Sequence, residues 1–341
     1  MPKYSVRVGG HEIFKVDLEQ QDRDFKKKRI RIAELIGVPL DYVRFQRIDG
    51  QTGKIKAQRQ WAMMYDKKLD KTVRLKNPVK HPHDYTLRLK IKEARRKTRR
   101  IKTATGRTIY TLLSQGDRHP KTSKNGDVLN IHSRILHLAP AKSSGINVCP
   151  MHSQGCAAAC LNWAGFKYAK KQQSRVAKTL MFYYERELFM DRLAVEIAAS
   201  YETANKRGMI CGIRLNGTSD IRFESIAWQG YTNLMEAFPD VCFMDYTKIS
   251  NRRNLPDNYR LTFSRSEDND NKCHEALYNG INVAVVFRNK LPETFWGLPV
   301  IDGDLHDWRY GDYEDHDGCV IVGLRAKGRA KFDRSGFVVD T

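Results

Sequence analysis

Three cysteines fall within twelve residues, in the run Cys149-Pro-Met-His-Ser-Gln-Gly-Cys156-Ala-Ala-Ala-Cys160, at spacing C-x6-C-x3-C. Thiolates this close in an intracellular chain are more often metal ligands than disulfide partners. Three cysteines without a nearby fourth suit an iron–sulfur cluster with one iron left open. They also suit a zinc ion whose fourth ligand is another residue type. His152 offers that alternative, since Cys149, His152, Cys156 and Cys160 make a complete tetrahedral set in one loop. Unligated or redox-active thiols are a third reading. The other cysteines are of a different kind. Cys211, Cys242 and Cys319 lie inside apolar runs, where cysteine acts as a small hydrophobe. Cys273, beside His274 in a polar helical stretch, is assigned to packing or surface as well.

Carboxylates suggest a second chemistry. The run Asp302-Gly-Asp304-Leu-His306-Asp307, with Asp312 and Asp315, could bind Mg²⁺ or Mn²⁺ for phosphoryl transfer. Asp220 and Asp245 could complete such a site, so Asp220, Asp245, Asp302 and Asp304 are the candidate catalytic acids. The plainer reading pairs the aspartates with Arg214, Arg265 and Arg309 as buried ion pairs.

The elements that must hold these groups follow from composition and pattern. A chain of 341 residues, 41% hydrophobic and 29% charged, has the make-up of a globular protein with room for two domains. No apolar run reaches the roughly 18 residues of a membrane span, and the first residues lack the apolar core of a signal peptide. The expectation is a cytoplasmic protein, with no membrane partner. The net charge of +21 is unevenly spread: residues 1–110 carry 30 Lys and Arg against 12 Asp and Glu, which leaves +3 for residues 111–341. Such asymmetry points to nucleic acid as the partner of residues 1–104, since phosphate contacts dominate non-specific affinity.

Residues 3–8 and 11–17 alternate around Gly9-Gly10, a hairpin pattern. Asp22–Ile36 has helical spacing and stops at Gly37 and Pro39. Tyr42–Ile48 alternates as a strand. These compose a small basic α+β domain over residues 1–85. Residues 86–104 read as a basic linker or arm, with Lys90–Lys102 too charged to build a core.

From residue 105 to 341 the pattern is α/β. Seven β-branched apolar runs appear in series: 134–139, 209–215, 241–245, 259–264, 282–287, 299–302 and 319–324. Two helical stretches, 174–206 and about 224–238, lie between them. Continuous apolar strands separated by helices imply a parallel sheet buried on both faces. Irregular connections after Asp245 and Ser264 favour a partial parallel barrel over eight regular repeats. Each run ends in polar groups, including Asn216-Gly-Thr-Ser-Asp220, Asp245-Tyr-Thr-Lys248, Ser264-Arg-Ser-Glu267, Asp302-Gly-Asp304 and Arg325-Ala-Lys327. Ligand sites in parallel α/β folds gather beyond the carboxyl ends of strands. That makes Asn216, Thr218, Ser219, Lys248 and Ser264 candidate cofactor-binding groups, on the same edge as the cysteine loop.

The combined motifs resemble a known family. His119-Pro-Lys-Thr122, Ile135–Ala141, Ser144–Pro150, Gly155–Asn162, Ala164-Gly165, Arg214–Ile221, Asp245–Lys248, Leu261–Ser264, Val283–Phe287, Ile301–Asp304 with Asp307 and Arg309, and Gly323–Gly328 resemble the bacteriophage gene product 88 family, over about residues 105–341. The resemblance implies a phage origin and the host cytoplasm, but no reaction. A more distant similarity is to radical S-adenosylmethionine enzymes, which carry three cysteines after the first strand of a partial barrel. Those cysteines hold a 4Fe-4S cluster whose open iron chelates the cofactor. By that similarity Cys149, Cys156 and Cys160 would hold the cluster. The usual spacing there is C-x3-C-x2-C, however, and Asn216–Asp220 stands where a Gly-Gly-Glu signature is expected.

The functional expectation is a phage iron–sulfur protein, a radical-S-adenosylmethionine-like enzyme acting on nucleic acid or a nucleic-acid-bound target. The alternatives are a nucleic-acid-binding regulator with a structural or redox-sensing iron–sulfur or zinc site, and a metal-dependent nuclease using the strand-end aspartates.

Overall fold

Ten strands share one sheet in the second of two units, Met1–Asp84 and Tyr85–Thr341, into which the chain divides. The structure is a computed structural model, and the residues it describes are 3–8, 11–17, 43–47, 63–66, 71–74, 82–98, 111–115, 129–160, 169–252, 254–313 and 318–341. In the first unit, β1 (Lys3–Val8) pairs antiparallel with β2 (His11–Asp17) and, on its other side, with β3 (Val43–Arg47). β4 (Met63–Asp66) and β5 (Lys71–Arg74) form a separate antiparallel pair. The helix expected over Asp22–Ile36 lies outside the described residues.

Helix α1 (Pro82–Lys97) occupies most of the expected basic arm. Its charge does not keep it out of the core. Ile91 and Ala94 are buried with the main cluster, and Leu87 packs against it. The stripe Leu87, Ile91, Ala94, Thr98 recurs at helical spacing, and Arg88, Lys92, Arg95 and Arg96 face outward. The part of the arm from Arg99 to Lys102 is not described.

The large sheet contains β6 (Leu113–Gln115), β7 (Ile131–Leu136), β8 (Ile210–Arg214), β9 (Cys242–Thr247), β10 (Tyr259–Ser264), β11 (Val283–Phe287), β12 (Thr294–Phe295), β13 (Leu298–Asp302) and β14 (Ile321–Arg325), in the order β12-β13-β14-β11-β10-β9-β8-β7-β6. A short tenth strand, β15 (Val338–Val339), pairs with β11. Seven strands, β13 to β7 along that order, are parallel; six contain most of one of the seven apolar runs, while β7 begins three residues earlier than its run and takes in half of it. Antiparallel β6 and β12 terminate the two edges. The protein is therefore a mixed α/β fold with an open, mostly parallel sheet. It does not close on itself.

Helices follow the strands unevenly. α2 (Gln154–Ala158) is a short turn within the cysteine loop. The expected helix 174–206 is two helices, α3 (Ala169–Tyr184) and α4 (Arg186–Arg207), because Glu185 leaves helical backbone geometry at φ −129°, ψ 49°. Their apolar faces bury Met181, Phe182, Phe189 and Leu193 against outward-facing residues of β7 to β10, including Leu136, Ile213, Phe243 and Leu261. The second expected helix, 224–238, is mostly absent. Gln229 and Gly230 both adopt positive φ, and Trp228 and Tyr231 exchange backbone hydrogen bonds across that turn, leaving only α5 (Leu234–Ala237). α6 (Asp270–Tyr278) connects β10 to β11.

Among the described residues, the opposite face of the sheet is covered mainly by irregular chain and short 3-10 turns. The segment after β13 runs back so that Trp308 and Tyr310 pack with Ile131 and Met244. Gly212 makes room for it: a Cβ there would lie 2.6 Å from Trp308 Cζ3. Asp307 ties the same segment to Arg214 at 2.9 Å.

Candidate site at the carboxyl edge

The cysteine loop follows β7 and lies against the ends of β8 and β10. Ser153 caps α2, accepting from the Cys156 amide at 3.1 Å. Glu267, beyond β10, clamps the loop from across the sheet: the Ser153 hydroxyl donates to it at 2.7 Å and the Gly155 amide at 2.6 Å. Gly155 is required for this contact, because a Cβ there would lie 2.7 Å from the Glu267 carboxylate. Ala159, at the end of α2, packs with Ala326, Ala330 and Val338 from the segment after β14. The loop is thus fixed by chain from three different strand ends.

All three thiols are partly buried. The Cys149 Sγ accepts from the Ala141 amide at 3.4 Å and donates to the Thr218 carbonyl at 3.7 Å. Burial pushes its pKa up to about 12, and Cys160, Cys156 and Asp220 add to the rise. Cys149 therefore lies within electrostatic range of both other thiols. Arg175 of α3 is buried beside Cys160; burial lowers its pKa, and Cys160 works against that shift. His152 is held by its own loop, with Nδ1 2.5 Å from the Cys149 carbonyl oxygen. A carbonyl only accepts, so Nδ1 carries the proton and the Nε2 lone pair is left available.

As the side chains stand, no group of three or more His, Cys, Asp or Glu that could hold a metal ion occurs among the described residues. The donor chemistry suits a soft metal, with three thiols in one loop and a cation beside them. Their positions are not yet those of ligands, since Cys149 is turned toward Thr218.

The expected acids fall into two groups. Asp245 is buried, accepting from the Asn216 amide at 2.6 Å, from Asn216 Nδ2 at 3.1 Å and from the Tyr259 hydroxyl at 2.8 Å. Asp220 accepts from the Thr247 hydroxyl at 2.8 Å and the Lys248 amide at 2.7 Å, with Arg252 3.7 Å away. Burial raises both carboxyl pKa values, that of Asp245 to about 6. Ser219 donates to Asn216 Oδ1 at 2.9 Å and Thr218 to the Leu138 carbonyl at 2.6 Å. Asn216, Ser219 and Asp245 bond to one another at the ends of β8 and β9, Asp220 joins them by way of Arg252 and Tyr259, and Thr218 is tied to the segment after β7 instead. Lys248 is half-buried, with its ammonium 5.7 Å from the Phe337 ring. Ser264 ends β10, where its carbonyl accepts from Asn269 at 3.0 Å.

Asp302 and Asp304 stand apart from this network, six strands from β7 in the sheet order. Arg325 holds Asp302 through both carboxylate oxygens at 2.9 Å, and Lys327 holds Asp304 at 2.7 Å. The structure places the two acid pairs at separate stations of one edge, each with its own cations.

The family model described as gene product 88 matches residues 111–341. The chain belongs to the gene product 88 family. No curated protein and no solved structure matches it. The match takes in the whole large sheet and the cysteine loop, so the site described above is built from family sequence. Helix α1 and the first unit lie outside the match.

Sequence reasoning passed over one member of this site. His137 was read as part of an apolar run, yet it falls on the face opposite Leu136, whereas Arg214, expected as an ion-pair partner of the aspartates, pairs with Asp307 at 2.9 Å. Burial, with Arg175 and Arg214 nearby, lowers the His137 pKa to about 3. Gly217 allows the close approach, because a Cβ there would sit 2.6 Å from His137 Nδ1. The available signal was alternation: in Ile135-Leu-His-Leu, the histidine falls on the opposite face from both leucines.

Proposed function

We propose that the protein is an iron–sulfur enzyme whose cluster is held by Cys149, Cys156 and Cys160 at the carboxyl edge of the sheet, and that it acts on nucleic acid. The observation that carries this reading is the position of the three thiols in one loop, with Cys149 within electrostatic range of the other two. They share a loop clamped between strand ends, where parallel α/β folds keep their chemistry. When bound, the cluster would supply one-electron chemistry, and S-adenosylmethionine is the co-substrate that the similarity to radical enzymes suggests. Arg175 would offset the negative charge of the thiolates. Cys149 holds its proton to about 12 without metal, so cluster assembly would release that proton and break the bond to Thr218. Lys248, on the same edge, is the cation best placed to meet an anionic part of the substrate. The outward cations of α1, Arg88, Lys92, Arg95 and Arg96, support nucleic acid as the partner of the basic N-terminal third. A host-cytoplasmic setting belongs to the same proposal.

Anaerobic purification tests it. We expect a brown protein whose broad visible absorption dithionite bleaches, and colourless Cys149→Ala, Cys156→Ala and Cys160→Ala variants. Reductive cleavage of S-adenosylmethionine by the brown protein would support the finer reading. A second reading rests on His152. Its Nδ1–H is given to a backbone carbonyl, which is how histidine ligands of zinc are commonly oriented. A colourless protein with one bound zinc, lost in His152→Ala, would replace the cluster with a structural site.

A further inference from the structure

The segment after β14 carries five Lys and Arg against one Asp in residues 325–334, Arg-Ala-Lys-Gly-Arg-Ala-Lys-Phe-Asp-Arg. That net +4 exceeds the +3 of residues 111–341 as a whole, so the rest of the α/β region is close to neutral. The charge stands beside the cysteine loop, because Ala326 and Ala330 pack on Ala159. The backbone of this segment is held from beneath. Arg288, at the end of β11, donates to the Lys331 carbonyl at 2.8 Å and the Asp333 carbonyl at 2.9 Å. Arg265, at the end of β10, donates to the Gly336 carbonyl at 2.8 Å. The one acid is occupied: Asp333 accepts from the Ser335 hydroxyl at 2.7 Å and the Val338 amide at 3.0 Å. Arg325 and Lys327 face Asp302 and Asp304. Arg329, Lys331 and Arg334 are exposed, and Phe332 between them is 83% exposed.

A core or a covered interface would bury that phenylalanine. A surface for a structured acidic protein would not need a lone aromatic among alternating cations. Alternating cations around an outward aromatic suit a phosphate backbone with unstacked bases, the arrangement by which single strands are held. We propose that residues 329–334 form a binding platform for single-stranded nucleic acid, with Arg329, Lys331 and Arg334 on phosphates and Phe332 stacked on a base. The platform delivers the strand to the edge that carries the cysteines. It deepens the functional proposal by naming the substrate as single-stranded. Binding itself does not depend on the cluster.

The test is fluorescence anisotropy of the full chain with labelled oligothymidylate and oligouridylate of equal length, across a salt series. Arg329→Gln/Lys331→Gln/Arg334→Gln should weaken binding at least tenfold and flatten the log–log salt slope by about 2, at roughly 0.7 per phosphate contact on a single strand. Phe332→Ala should weaken it about tenfold without changing the slope, through lost stacking. A stronger effect on one oligonucleotide would assign DNA or RNA. Unchanged affinity and slope in both variants would overturn the proposal, as would equal competition by duplex. If the triple variant fails to fold, Phe332→Ala decides alone, since its ring buries little. Visible spectra of the same samples separate the two proposals. Binding lost with the cluster absorption intact supports the platform. Binding retained by a colourless protein removes the cluster and leaves the platform standing.

Discussion

Burial holds His137 neutral, and this gives the clearest prediction at the scale of single residues. Its pKa in the folded chain is lowered to about 3, by burial first and then by Arg175 and Arg214. An unfolded histidine titrates near about 6.5, so between these values the unfolded chain binds more protons. The His137 contribution is therefore fully present above about 6.5 and is lost as pH falls, by up to about 1.4 kcal/mol per unit. Asp245 runs the other way. Burial raises its carboxyl from 3.8 to about 6, so its contribution declines as pH rises through that window. Only the second effect remains in His137→Gln. We expect urea unfolding to show the stability advantage of the native chain over His137→Gln shrinking from about pH 7 to about pH 5. A constant difference would mean that His137 titrates as an exposed histidine does. The three cysteines were legible because their types and spacing are local. The roles of Arg175 and Glu267 were not, because each acts on the loop from another element, and that of His137 was not, because its burial depends on which strands lie adjacent.

Among the elements, α1 carries the sharpest disagreement between composition and structure. Its segment is dominated by Lys and Arg, and averaged hydropathy conceals a stripe of one small apolar or polar residue per turn. Ile91 is 8% exposed and Ala94 fully buried. The helix is further tied by Lys90, which donates to the Gln229 carbonyl and lies 4.4 Å from the Tyr231 ring. Thr98 closes its end, accepting through its carbonyl from Arg192 at 3.3 Å. Ile91→Ala should cost about 2–4 kcal/mol through the cavity it leaves. Leu89→Ala should cost under about 0.5 kcal/mol, since Leu89 is exposed. Equal losses in thermal melts would mean that α1 does not dock by this stripe. The parallel strands were legible for the opposite reason: both faces of the sheet are covered, so their apolar runs are continuous. The turn at Gln229-Gly230 and the break at Glu185 were not. Each depends on backbone angles that the surrounding apolar spacing does not announce.

For the whole molecule, the boundary of family sequence and the boundary of the folded unit differ. The family match begins at residue 111, whereas the second unit begins at Tyr85. The difference carries charge as well as structure. Residues 1–84 hold 20 Lys and Arg against 11 Asp and Glu, and residues 85–110 hold 10 against 1, so each contributes +9. Half of that excess therefore belongs to residues 85–110, whose described part, 85–98, joins the core of the α/β unit through α1. A fragment of residues 85–341 keeps Ile91 and Ala94 in place; a fragment of 111–341 uncovers the residues of α4 and the loop after β8 against which they pack. We expect the longer fragment to melt near the temperature of the second unit in the intact chain. The shorter one should be less stable by roughly the several kcal/mol of two lost buried side chains and their helix. If the N-terminal basic residues contact nucleic acid as proposed, the longer fragment should also keep the larger part of the salt slope, because Arg88, Lys92, Arg95 and Arg96 lie exposed on α1. A fragment of 111–341 as stable as 85–341 would make α1 an appendage. A salt slope that disappears from 85–341 would move the nucleic-acid contact to the first unit.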